Sequence, residues 1–149
     1  MIKDVIDIAE RYGCNMVYLF GSQADNGRRY LEGGYVVPEP SSDLDLAVAF
    51  ETPPLDVFKI YGSLYKEFSD IFEPFEVDIV FMHEVDILFK FEIIKGVRIY
   101  EKDAIISDEF EEEVIKRAGD LIYKKRIFNK EIMEAVEDGY FEFEYSPNP

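Results

Sequence analysis

The sequence predicts an α/β (α+β) fold in which helices pack against a small mixed β-sheet. Short hydrophobic runs with the composition of strands occur at residues 15–20, 42–50, 75–81 and 97–100. Stretches with helical spacing of apolar residues lie between and around them, at 2–12, 54–72, 84–95 and 108–138. Helices and strands that alternate in this way are typical of a layered α/β domain.

Length and charge limit what this chain can do. Its 149 residues, 48% of them hydrophobic, are enough for one domain, which we divide into a core at 1–103 and a C-terminal helical extension at 104–149. The net charge of −16 repels phosphate backbones, so we expect no long nucleic acid as a partner. A metal-chelated nucleotide or a basic protein remains compatible with that charge.

The cellular location also follows from the sequence. The single cysteine, Cys14, cannot form an internal disulfide, which fits a reducing compartment, and its apolar surroundings predict a buried, inert thiol. No apolar run approaches the ~20 residues that a membrane span needs, and the N-terminus carries no signal-peptide pattern. We therefore expect a cytoplasmic protein without a membrane association.

The first half of the chain holds two elements and a long connection. A helix at 2–12 ends at Gly13, and the strand at 15–20 ends at Gly21-Ser22, where the backbone can turn tightly. Residues 23–41 are rich in glycine and proline, and we predict a long loop that is either functional or mobile.

In the second half, a helix is predicted to start at Pro53-Pro54 and to bury an apolar stripe. The stripe consists of Leu55, Phe58, Tyr61, Leu64, Tyr65 and Phe68. Ser107 is the predicted N-cap of a final helix that starts at Asp108. This helix is predicted to stop at Gly139, and the sequence also allows a break in it near Asn129. The tail at 140–145 alternates aromatic and acidic residues, and the sequence leaves open whether it docks on the sheet or on a partner.

The chemistry of the chain is indicated by three aspartates. Asp43 and Asp45 open a strand and, two residues apart, share one of its faces. Two charges ~4 Å apart repel by about 4 kcal/mol at an effective dielectric of ~20, so water, an ion pair or a cation must relieve them. An isolated pair is more often a solvated strand face. Asp78 adds a third carboxylate in the middle of another apolar strand.

If these strands are neighbours, the three aspartates and the Gly21-Ser22 turn meet at one end of the sheet. Hard oxygen ligands suit Mg²⁺, which shares carboxylates with substrate phosphates, and two such ions can clamp an in-line phosphoryl displacement. Glycine lets the backbone approach a triphosphate, and the Ser22 hydroxyl can bond its oxygens. Asp78 is either a third metal ligand or a base for the incoming hydroxyl.

Several strings of this sequence also resemble a known family. LFGS (19–22), SDLDLAV (42–48) and VDIVF (77–81) are similar to the signature of the nucleotidyltransferase superfamily. LFKFEIIKGVRIYEKD (88–103) is similar to a segment of the minimal nucleotidyltransferases (MNT), short proteins that act as antitoxins of HEPN-domain toxins.

The resemblance implies a palm-like sheet that binds magnesium with a nucleoside triphosphate, here ATP, and transfers AMP to a hydroxyl. In the antitoxin members the acceptor is a tyrosine of the HEPN toxin. Gly21 and Ser22 match the nucleotide-binding pair, and Asp43, Asp45 and Asp78 match the catalytic, metal-binding carboxylates.

Two departures from the family pattern bear on the substrate. Twenty residues, from Gln23 to Ser42, separate Gly21-Ser22 from the aspartate pair, more than the family usually has. The arginines that usually follow Gly-Ser are missing, and Arg28 or Arg29 are the candidates to replace them at the phosphates.

Three functions therefore compete on sequence grounds: an adenylyltransferase that modifies a protein partner, an idle antitoxin that acts by binding alone, and a transferase for a small molecule such as an antibiotic. The intact carboxylates favour activity. His83 is the only histidine, and we interpret it as structural or solvent-exposed rather than as part of a His-based metal site or a Ser–His–Asp triad. Gly33-Gly34 lacks the pattern of a P-loop and is predicted to be a turn. The sequence leaves the oligomeric state open.

Overall fold

A computed structural model of the chain describes residues 1–139. The elements are α1 (Ile2–Arg11), β1 (Cys14–Phe20), α2 (Ala24–Leu31), β2 (Leu44–Phe50), α3 (Val57–Phe72), β3 (Val77–Phe81), α4 (Ile87–Ile94), β4 (Val97–Glu101) and α5 (Ala104–Glu137). A 3₁₀ turn at Met82–Glu84 connects β3 to α4. Within residues 1–139, no helix combines the length and the apolar character needed to cross a bilayer.

The four strands form one mixed sheet in the order β3-β2-β1-β4. β1 is antiparallel to both β2 and β4, and β2 is parallel to β3. This confirms the predicted mixed sheet, and β4 lies at one of its edges. One face of the sheet packs against α1 and α3, through Val5 and Phe68, and the other packs against α4, through Ile93. Strand alternation explains the two layers, because successive side chains point to opposite faces.

The prediction of a long loop at 23–41 is wrong for its first part, which folds as α2. Three buried residues of α2, Ala24, Gly27 and Leu31, recur at helical spacing. A Cβ at Gly27 would lie 2.7 Å from Leu44 Cδ1 and 3.0 Å from Leu19 Cδ1, so glycine brings this helix close to the sheet. The residue that indicates a loop in the sequence is thus a packing residue of a helix.

The apolar stripe predicted for α3 is partly wrong. Leu64 and Phe68 are buried as expected, whereas Leu55 and Phe58 are more than nine-tenths exposed. The residues of α3 that pack on the core are offset by about one position: Val57, Ile60, Leu64, Phe68, Ile71 and Phe72. The helix also starts later than predicted, because the Asp56 carboxylate accepts a hydrogen bond from the Lys59 amide at 3.1 Å and caps it.

The last helix begins earlier than predicted. The side chain of Asp103, rather than that of Ser107, caps α5 by accepting a hydrogen bond from the Ile106 amide at 3.1 Å. Ser107 is buried inside the helix, which continues through Asn129 without a break. Gly139 has the positive φ (76°) typical of a helix stop, as predicted. The aromatic and acidic tail at 140–145 lies outside the described residues.

Two predictions about single residues are confirmed. Cys14 is buried, and this burial raises the pKa of its thiol to about 12, so the thiol stays protonated and unreactive. His83 lies in the 3₁₀ turn at the surface, and its ring centroid is 5.8 Å from that of Phe81. Its Nε2 also lies 3.7 Å from Glu84 Oε1, and the residue is exposed, as predicted.

Arg98 fastens α5 to the sheet. Its guanidinium lies 2.6 Å from Glu101 on the same strand, and 2.8 Å from both Asp108 and Glu111 on α5. The Arg98 side chain is only 19% exposed, so these charge-assisted contacts are partly shielded from water.

We expect Arg98→Leu to lower the free energy of unfolding by about 2–3 kcal/mol, because three carboxylates lose their shared cation. Urea denaturation followed by circular dichroism measures the change. Arg117→Leu is the matched control: Arg117 is exposed on the same helix, and its loss should change stability by less than about 0.5 kcal/mol. Equal stabilities of the two variants would contradict the anchoring role of Arg98.

Candidate active site

The predicted site residues lie on adjacent strands at one end of the sheet. Phe20, the last residue of β1, pairs with Asp45 on β2, and Asp45 pairs with Asp78 on β3. Asp43 directly precedes β2. Since neighbouring strands lie about 4.8 Å apart, the structure brings the aspartates and the Gly21-Ser22 turn together, as the sequence reasoning required.

Gly21 is the point where the turn meets the carboxylates. Its φ of 77° lies in the left-handed region, and a Cβ built there would be 2.5 Å from Asp45 Oδ2. Any larger residue would collide with this carboxylate or push it away. The glycine therefore lets the backbone of the turn approach Asp45 directly.

The charges of the three aspartates act on one another. Asp45 is half-buried, while Asp43 and Asp78 are exposed. Burial, followed by the negative charges of Asp78 and Asp43, raises the pKa of the Asp45 carboxyl above its ordinary value. The site is therefore short of positive charge, and a cation bound there would relieve this repulsion.

The donor set fits magnesium better than an ion that needs a complete protein cage. Among residues 1–139, no three His, Cys, Asp or Glu side chains are arranged as a ready-made metal-binding group. Mg²⁺ needs no such group, because it keeps several waters and is commonly held by one or two carboxylates together with substrate phosphates. Asp45 and its neighbours Asp43 and Asp78 supply carboxylates of this kind.

Gln23 is a structural residue of the site that sequence reasoning missed. It is 1% exposed, and its side-chain amide donates a hydrogen bond to the Ser42 carbonyl and accepts one from the Glu39 amide at 3.1 Å. Ser22 Oγ lies 2.8 Å from Ser42 Oγ. These bonds hold the end of the connection before Asp43 against the Gly21-Ser22 turn. A glutamine is usually exposed, so the sequence carried no signal for this role.

The two arginines considered for the phosphates are placed differently. Arg28 donates to Asp25 Oδ1 at 3.0 Å and lines a cavity with Ile2 and Ile99. Arg29 is exposed on α2. A separate groove of about 480 Å³ lies at the Gly21-Ser22 turn, between the start of α2 and the α4–β4 turn. Neither arginine lines this groove.

The sequence of this chain matches the model of one protein family. The family described as Polymerase beta, Nucleotidyltransferase matches residues 3–105, which is more than half of the chain and includes all five predicted site residues. No curated protein matches the sequence closely enough to count as a relative.

Solved structures with the same fold come from toxin–antitoxin complexes. The chain is 14% identical to a chain of a toxin–antitoxin structure with AMP-PNP, with a TM-score of 0.62 over 89% of this chain and 98% of the other. It is 13% identical to a chain of the tri-AMPylated HEPN toxin in complex with MNT antitoxin from Shewanella oneidensis, with a TM-score of 0.59 over 89% and 95%. It is also 13% identical to a chain of the toxin–antitoxin complex MntA-HepT, with a TM-score of 0.57 over 89% of this chain and 96% of the other. Identities this low establish the fold alone.

Proposed function

This chain belongs to the Polymerase beta, Nucleotidyltransferase family, and we propose that it is a Mg²⁺-dependent adenylyltransferase that modifies a HEPN toxin and so acts as its antitoxin. AMP from ATP would be transferred to a tyrosine hydroxyl of the toxin. The observation that carries this proposal is the line of Phe20, Asp45 and Asp78 across three neighbouring strands, with Gly21 against the Asp45 carboxylate.

In the reaction we propose, the acceptor oxygen forms a bond to the α-phosphorus of ATP, the bond from that phosphorus to the bridging oxygen breaks, and pyrophosphate leaves. Asp78 is exposed beside Asp45, where it would act either as a further metal ligand or as the base that takes the proton of the acceptor hydroxyl. The Gly21-Ser22 turn would bind the phosphates through its amides and the Ser22 hydroxyl.

Asp43 and Asp45, joined by Asp78 if it acts as a ligand rather than as the base, would hold two magnesium ions. Bound magnesium supplies positive charge that stabilises the phosphoryl transition state. Residues 1–103 carry the chemistry in this proposal, and 104–149 extend the same domain. Burial of the Cys14 thiol and the lack of an internal disulfide fit action in the reducing cytoplasm.

The acceptor is inferred from two kinds of support. Solved structures with this fold include one with the ATP analogue AMP-PNP and one of an AMPylated HEPN toxin with its MNT antitoxin. The net charge of −16 also favours a protein acceptor over a long nucleic acid.

The direct test is incubation of the protein with Mg²⁺, α-labelled ATP and the HEPN protein encoded beside it, if its gene neighbourhood holds one. We expect label on a tyrosine of that protein, and at least about a hundredfold less with Asp43→Asn, since loss of a metal carboxylate removes several kcal/mol of charge stabilisation. Asp70→Asn is the matched control, because Asp70 is an exposed carboxylate on α3 away from this line of residues.

The proposal is supported if wild type and Asp70→Asn label the partner protein and Asp43→Asn does not. Tight binding of the two proteins without any label, for every nucleoside triphosphate tried, would instead identify an antitoxin that acts by binding. Transfer to an antibiotic hydroxyl, with none to the HEPN protein, would assign the enzyme a small-molecule acceptor.

A further inference from the structure

The groove at the Gly21-Ser22 turn has one basic wall residue, Lys95, which follows α4. Val97 on β4 pairs with Leu19 on β1. The next residue before Val97, Gly96, lies against Phe20, and Lys95 lines the same groove as Gly21 and Ser22. The groove therefore has a lysine in its wall at the turn that the family resemblance assigns to the triphosphate.

Gly96 fixes this placement. A Cβ built on Gly96 would overlap the Leu19 carbonyl oxygen and lie 2.9 Å from Phe20 Cα, so the α4–β4 turn touches the backbone at the end of β1. Both of these contacts are with main-chain atoms, which cannot rotate away as a side chain would. The contact of Gly96 with the main chain of β1 therefore fixes the position of the neighbouring residue, Lys95, at the turn.

The same line of residues continues to the carboxylates on the other side of β1. Asp45 lies on β2 and Lys95 lies two residues before β4, with β1 and the Gly21-Ser22 turn between β2 and β4. Two strand spacings separate β2 from β4, which is roughly 10 Å. A triphosphate with its α-phosphate at the aspartates would run past Gly21 and bring its terminal phosphates to Lys95.

The present partners of Lys95 leave it available for a phosphate. Its ammonium lies 2.7 Å from Glu92 Oε1 and 5.0 Å from the centroid of the Phe91 ring. The side chains of Lys95 and Glu92 are 51% and 63% exposed, and an exposed pair of this kind contributes little to stability. The other acidic side chain of the groove, Asp25, is already paired with Arg28 at 3.0 Å.

We infer that Lys95 binds the β- and γ-phosphates of the nucleoside triphosphate and takes the place of the arginines missing after Gly21-Ser22. This inference rests on the proposed function. Glu92 competes for the same ammonium, so the Lys95–Glu92 pair opens when the triphosphate binds. Lys95 is thus a binding residue for the phosphate tail and makes no contact with the adenosine.

The test compares the binding of ATP and of AMP, each with Mg²⁺, by isothermal titration calorimetry. Lys95→Met should weaken ATP binding about tenfold, the loss typical of one charge-assisted phosphate contact, and leave AMP binding unchanged. Glu92→Gln should strengthen ATP binding about twofold or more, because the competing carboxylate is gone. Lys90→Met removes the same charge from the same helix outside the groove and should leave both affinities near those of wild type.

The outcomes separate this inference from the function on which it rests. Wild-type protein that binds and transfers AMP from ATP, together with a Lys95→Met variant of normal ATP affinity, overturns the role of Lys95 alone. Equal losses for ATP and AMP would show that Lys95 acts through the fold, which also overturns it. Wild-type protein that binds no nucleoside triphosphate overturns both.

Discussion

Asp45→Asn is expected to make the protein more stable and to abolish its nucleotidyl transfer. The free energy of unfolding should rise by up to about 1 kcal/mol at neutral pH after allowance for solvent screening, because the variant no longer holds a half-buried charge beside Asp43 and Asp78. Transfer should fall by about a thousandfold or more, since the residue closest to the turn loses its charge.

The gain in stability should depend on pH in a defined direction. The raised pKa of Asp45 means that the folded state keeps this proton to a higher pH than the unfolded state, whose aspartates titrate near 3.9. The folded wild type therefore loses stability, relative to Asp45→Asn, as the pH rises from about 4 through the raised pKa. Below that window the two proteins should be equally stable, and above it the difference should be constant.

Urea denaturation at about pH 3, below the window, and at pH 7.5 measures the stability effect, and the pH 7.5 series is repeated with Mg²⁺ and ATP. Asp70→Asn is again the control and should show neither the stability gain nor the loss of transfer. Wild type should gain stability from Mg²⁺ with ATP, while Asp45→Asn should gain little, because bound ligand stabilises only a protein that binds it. A lower stability of Asp45→Asn at pH 7.5 would show that the carboxylate is stabilising and would refute the repulsion argument.

The carboxylates and the turn could be found from the sequence because their chemistry is local. Asp43 and Asp45 stand out in an apolar strand, and Asp78 interrupts another, so the sequence alone marks all three as residues that need an explanation. Their convergence required only that β1, β2 and β3 be neighbours, and the structure places them so.

The parts of the fold that could not be predicted depend on contacts between distant segments. Gly27 has the character of a loop residue, but it lies in a helix, at a position where Leu19 and Leu44 leave no room for a side chain. Gln23 has the character of a surface residue, yet it is buried because two backbone groups of a later segment, at Ser42 and Glu39, satisfy its amide. The spacing of residues along the chain does not show which distant residues surround Gly27 or Gln23.

The aromatic residues of α3 illustrate a different limit. Phe58 and Tyr61 lie at a helical spacing that fits a buried stripe, but a stripe displaced by one residue, through Val57 and Ile60, fits equally well. Only the sheet decides between the two. It selects the displaced stripe, and Phe58 is 91% exposed as a result.

Gly96→Ala is expected to be the most destabilising of the single substitutions considered. A methyl group at this position would overlap the Leu19 carbonyl oxygen and crowd Phe20 Cα. Since both atoms belong to the main chain, the start of β4 must move away from β1 to make room. We expect a loss of about 3 kcal/mol or more in the free energy of unfolding, at the upper end of the range for overpacked sites.

Gly62→Ala is the matched control for this substitution. Gly62 lies within α3, and a Cβ there meets no atom within 4 Å, so alanine should stabilise the protein by about 0.5–1 kcal/mol through its higher helix propensity. Urea midpoints with unchanged m-values would establish both effects. Because the contact at Gly96 also sets the position of Lys95, a folded Gly96→Ala protein should bind ATP less tightly while its affinity for AMP changes less. A Gly96→Ala protein as stable as Gly62→Ala would mean that the α4–β4 turn does not touch β1, and the placement of Lys95 beside Gly21 would be lost with it.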